Sequence, residues 1–178
     1  ESKPKFLTDE QKKLVYATKS GWVLENGALT GNDNPNADPE ILVAIGELAT
    51  SIGAADITEI EFITTAFDKS DGGTLQVRVR FNEEVDVTGT PQLTVVNDSR
   101  ANHTLSYASG TGSNELVFSL TIAAGGGGVI ADGDELSIGA NATALNGGTI
   151  KDKGTNTAST ITNVASIGTA AGTITVTA

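Results

Sequence analysis

Carboxylates beside glycine turns are the residues in this sequence best placed to do chemistry, and the chemistry they suit is calcium binding. Asp132-Gly133-Asp134-Glu135 sets Asp132, Asp134 and Glu135 around a tight turn. Calcium takes roughly six to eight oxygen ligands from loops of this kind. Asp68 and Asp71 make a thinner second set. Neither follows the complete EF-hand pattern, and Asp and Gly are also ordinary turn formers. No other cofactor is expected.

Catalysis finds less to use. His103 is the only histidine and there is no cysteine, so a serine nucleophile would lack the base and the orienting group that activate it. Glu83, Glu84 and Asp86 are close in sequence. They are expected on a solvated turn, not facing one another across a cleft as glycoside hydrolysis requires. No catalytic residue is assigned and no enzyme is expected. Arg78 and Arg80 form a basic pair on one strand face, with Glu59 and Glu61 alternating on a neighbouring strand. Cross-strand ion pairing is the expectation, at the modest worth of exposed pairs.

These residues need elements to hold them. The chain has 178 residues, 38% of them apolar but only 4% aromatic, with 21 glycines. That favours many short strands over a helical fold. A net charge of −11 argues against nucleic acid, whose phosphates demand clustered Lys and Arg. No apolar run approaches the roughly 20 residues of a membrane span. The start, Glu1-Ser2-Lys3-Pro4-Lys5, lacks the apolar core of a signal peptide, as a processed chain would too.

The pattern changes near residue 57. In residues 1–56, Thr8 and Gln11 form a capping box that predicts a helix running through Leu14 and Val15 to about Thr18. Asp38 as cap and Pro39 at the first position predict a second helix, with Ile41, Leu42, Ile45, Leu48 and Ile52 on one face and Gly53 as its stop. Leu29 to Asp38 is expected to be a polar loop. Trp22, the sole tryptophan, joins the stripe as a candidate interface residue. From Ile57 onward the period is two. Leu75, Val77, Val79 and Phe81 alternate with polar residues, as do Leu116, Phe118 and Leu120. These side chains are expected inside an antiparallel β-sandwich of residues 57–178, ending in an extra strand around Ile174 and Val176.

Three ordered blocks carry a resemblance. They are Val79-Arg80-Phe81-Asn82-Glu83-Glu84-Val85 continuing to Leu93-Thr94-Val95, Tyr107 to Phe118, and Leu136 to Ala142 with Leu145 to Asp152. Over residues 57–158 the chain resembles the bacterial Ig-like domains of large surface proteins. The resemblance implies an Ig-like sandwich used as a spacer or adhesive module, with no catalytic residues to carry over. Such domains usually occur in tandem, whereas this chain has one, and Gly125 to Gly128 replace a more polar loop. A single copy behind a short helical segment is similar to tailed-phage virion proteins. Lys3 to Asp9, Gly21-Trp22-Val23 and Pro39 to Ile45 are similar to the start of phage structural proteins.

Together these resemblances imply a mainly β protein, with residues 1–56 anchoring it and residues 57–178 displayed on a virion surface. Expected partners are capsid or tail proteins, further copies of the chain in a homo-oligomer, and a host-surface glycan. The alternatives are an adhesive or spacer domain at a bacterial cell surface and a calcium-dependent glycan-binding module.

Overall fold

The computed structural model describes residues 3–25 and 38–178. Helix α1 (Asp9–Lys13) leads into strands β1 (Val15–Thr18), β2 (Gly21–Leu24) and β3 (Glu40–Ala44), followed by a 3-10 turn at Leu48–Thr50. Next come β4 (Ile57–Phe62), β5 (Phe67–Asp68), the long β6 (Gly73–Thr88), β7 (Gln92–Asn97), β8 (His103–Ser109) and β9 (Ser113–Ile122). The remainder holds β10 (Glu135–Ser137), β11 (Thr143–Ala144), β12 (Thr149–Asp152), helix α2 (Ala165–Thr169) and β13 (Ile174–Thr177). The protein is mainly β.

Its strands form one hydrogen-bonded sheet in the order β3-β2-β1-β6-β9-β8-β7-β10-β13-β5, with β4 and β12 on β6 and β11 on β7. Most pairings are antiparallel, while β1 joins β6 and β13 joins β5 in parallel. The path ends at β5, whose last residue precedes the start of β6 by a short turn. Leu75, Val77, Val79 and Phe81 of β6 share one buried core with Leu93, Val95, Leu105, Phe118, Leu136, Ile174 and Val176. A flat sheet with strands about 4.8 Å apart could not bring all of these together, so the sheet curls around them. The two-residue alternation of β6 and β9 is borne out, with Leu120 half-buried at the margin of that core.

Residues 3–56 correct the expected helices. The capping box at Thr8 and Gln11 is present, each accepting the other's backbone N–H. The helix nevertheless stops at Lys13, and Val15 onward is strand. The second expected helix is absent: Glu40–Ala44 is a strand, and only Leu48–Thr50 coils. Ile41-Leu42-Val43-Ala44-Ile45 is rich in β-branched residues that suit a pleated surface, and β2 offers it a partner. Gly21, just past the expected end of the first helix, lets the two strands approach. It has φ +135°, and a Cβ there would lie 2.0 Å from the Val43 carbonyl oxygen. The expected loop lies, except for Asp38, outside the described residues.

Candidate functional site at the seam between two cores

Leu7, Val15, Ala17, Trp22, Leu24, Leu48 and Ala49 form a second buried core, against which Leu42, Ile45 and Ile52 pack. The stripe expected to face a partner is therefore largely spent inside an N-terminal lobe. Trp22 is 3% exposed, and of the six candidate interface residues Ile41 alone is open to solvent, at 55%. Four of the seven core residues sit on β1 and β2, and Leu7, Leu48 and Ala49 pack onto them from the segments on either side.

The lobe meets the larger core along β6. The β6–β9 register shifts between Arg80 and Val85, where Glu83 pairs with Ala17 of β1, and Val85 to Thr88 also pair with β12. Two adjoining cavities, of about 440 and 280 Å³, open along this seam. Both are lined by Thr18, Ser20 and Glu84, so they form one groove. Lys19, Ala49, Lys153 and Gly154 line its larger part, and Tyr16, Val23, Pro39 and Ile41 its smaller part. Burial and then Glu84 push the Tyr16 phenol up to about 12, so it lines the groove as a neutral hydroxyl. Glu84 and Lys153 form an ion pair of 3.1 Å, and Lys153 also donates to the Gly112 carbonyl. The groove thus combines hydroxyls, the Glu84–Lys153 ion pair, Lys19 and an apolar rim at Pro39 and Ile41.

Arg78 and Arg80 pair with Glu61 and Glu59 across β4 and β6 as expected. Sequence reasoning missed the rest of this network. Arg80 is only 7% exposed and also meets Glu115 on β9 and Glu25 just beyond β2. Burial, then a hydrogen bond with Glu115, pushes Glu25 up to about 8. Burial works against charge on Glu115 too, but its bonds with Glu25 and Arg80 hold its carboxyl below the ordinary value.

The carboxylates proposed for calcium do not converge. Asp134 is buried, and its Oδ2 accepts from Asn97 Nδ2 at 2.9 Å and from the Ala131 amide at 2.9 Å, with Arg100 Nε 3.2 Å away. Asp132 and Glu135 are exposed. The buried Asp134 Oδ2 is committed to a protein network that also reaches His103, 3.4 Å from Asn97. No group of three or more His, Cys, Asp or Glu arranged for a metal occurs among the described residues. No helix among them is long and apolar enough to cross a membrane. In comparison with known proteins, no family model matches the chain, and no curated protein or solved structure gives a significant match.

Proposed function

We propose that this chain is a non-catalytic structural protein of a virion, a capsid decoration or tail-associated component that displays an Ig-like sandwich on the particle surface. The observation that carries the reading is β3. It ends the hydrogen-bonded path, pairs among the described residues with β2 alone, and presents Ile41 at the rim of the seam groove. An unpaired strand edge beside an apolar side chain is a template for strand addition by a partner. In this reading a capsid or tail protein lays an extended segment along β3 and into the groove, and the larger core faces solvent. The N-terminal lobe remains the anchor, through one strand edge instead of a helical stripe.

The test is binding of the full chain to particles stripped of it. Ile41→Lys puts a charge on the edge without touching either core, and should abolish retention on particles while leaving Tm unchanged. Retention equal to wild type would refute the docking assignment. A second reading, a spacer or adhesive domain at a bacterial cell surface, draws on the same Ig-like blocks, whose residues fall on β6 to β9 and on β10 and β12. Binding to cells with none to particles would favour it.

A further inference from the structure

Glu83 and Lys153 belong to a four-residue arrangement at the seam that leaves one problem unsolved. β6 and the end of β12 run side by side, with the Lys153 amide donating to the Glu84 carbonyl at 2.9 Å. On the groove side these segments carry opposite charges, Glu84 and Lys153. On the inner side they carry like charges, Glu83 and Asp152. Glu83 is 0% exposed and Asp152 1%. Both oxygens of Glu83 and Oδ2 of Asp152 have no donor among the described residues. The Asp152 Oδ1 is satisfied by the Thr155 amide and hydroxyl. Two buried ionised carboxylates with three oxygens lacking donors would cost several kcal/mol. Two such groups in contact cannot both ionise at neutral pH.

We propose that Glu83 and Asp152 share one proton, and that this carboxyl–carboxylate pair is a pH-operated latch holding the N-terminal lobe against the larger core. The proton sits between a Glu83 oxygen and Asp152 Oδ2, supplying the donor that those oxygens lack. The location makes it a latch: Glu83 pairs with Ala17 of β1, and the turn after Asp152 touches the lobe, where Thr155 Oγ1 lies 3.4 Å from the Gly53 carbonyl. A Cβ on Gly154 would lie 2.7 Å from the Ala49 carbonyl oxygen, so the contact is close-packed.

Among the described residues, no cation acts on Glu83. Asp56, before β4, adds further negative potential. Glu84 and Lys153 neutralise each other on the groove side, and Tyr16 on β1 is neutral. Burial, then the bond with Asp152, pushes Glu83 up to about 8. An acid raised in the folded state stabilises it below the ordinary carboxylate value, and that stability is lost as pH rises through the folded value. The stability held in the latch is therefore full at acidic pH, declines through neutral pH and is gone above about pH 8.

Carbon-13 carboxyl NMR of the full chain, with Tm measured from about pH 6 to pH 10, tests this. Glu83 should titrate near 8 in the wild type and at a lower pH in Asp152→Asn, whose amide supplies a donor without a proton. The Tm of the wild type should fall by about 3 °C or more across the range, a shift of roughly 1 kcal/mol for a chain of this size. Glu83→Gln, a permanent donor to Asp152, should remove a measurable part of that fall, the remainder belonging to Glu25. A wild-type Glu83 that titrates in the ordinary carboxylate range would overturn the proposal, and this holds even if Glu83→Gln fails to fold. Calcium or magnesium raising Tm at high pH in the wild type but not in Asp152→Asn would also overturn it, since a cation would then fill the proton's place.

Discussion

Arg80 Nη2 and the Glu25 carboxylate lie 3.4 Å apart, linking the larger core to the N-terminal lobe through a buried guanidinium. Arg80 is the hub of this seam, since Glu59 and Glu115 bond to it as well. Its neighbour Arg78 is different, being about one-third exposed and paired with Glu61.

Replacing these two arginines should therefore have unequal effects. Arg80→Ala leaves several carboxylates facing one another in a half-buried site, and should cost about 3 to 5 kcal/mol. Arg78→Ala should cost no more than about 1 kcal/mol, the scale of an exposed pair. Urea denaturation of the two single variants measures both. Equal costs would mean that Arg80 is solvated, contrary to its burial.

Phe118 sits in β9 with no exposed surface, edge-on to Tyr107 at 6.2 Å between ring centres. Phe118→Asp should unfold the larger core, because a buried carboxylate there has no partner and leaves a cavity. Circular dichroism should report loss of β structure at 25 °C. A native spectrum with unchanged Tm would place Phe118 on the wrong face of β9.

Acid should destabilise the protein through the Asn97–His103–Asp134 network. Burial lowers the His103 imidazole from its ordinary value, only partly opposed by Asp134. The unfolded chain then binds the proton first, so stability falls as pH drops below about 6.5. Asp134 is held low by Asn97, and its contribution is lost at still lower pH. His103→Gln should flatten the first of these losses and leave the second, as read from Tm at about pH 7, 5 and 3. An unchanged profile in His103→Gln would remove the imidazole from the account.

Chelation should change nothing at the Asp132 turn. Asp134 already has its donors, so Tm with and without excess EDTA should agree within error, and Asp132→Ala with Glu135→Ala should shift it little. Calcium-dependent stabilisation lost in that double variant would restore the metal reading.

Sequence patterns are legible where the cause is local. The capping box at Thr8 depends on residues three apart, and β6 and β9 alternate because their two faces see different solvents. Ile41, Leu42, Ile45, Leu48 and Ile52 satisfy a helical period equally well, yet form a strand and a turn. What decides is β2, a partner some twenty residues earlier whose Gly21 admits the close approach. The seam is invisible for the same reason. Glu25, Arg80 and Glu115 come from three distant segments, as do Ala17, Glu83 and Asp152, and no spacing rule connects them. One clue was available: Glu83 continues the inward-pointing row of Leu75, Val77, Val79 and Phe81. Continued alternation places a carboxylate inside, where an isolated turn reading places it in water.

The closing strand also fixes a sequence of events during synthesis. β13 lies between β10 and β5, with Val176 opposite Phe67 and Ile174 opposite Leu136. Domains form from the N-terminus as a chain emerges, but this sheet waits for β13, the last of its strands in chain order. Until Thr177 has left the ribosome, Phe67 and Leu136 lack their β13 neighbours, and the nascent sheet carries an open, apolar flank. The N-terminal lobe, whose strands lie within the first 44 residues, is free of that delay. Nascent chains stalled before Ile174 should therefore bind a hydrophobic dye and resist protease only in the lobe, with full protection arriving in one step once β13 is free to insert.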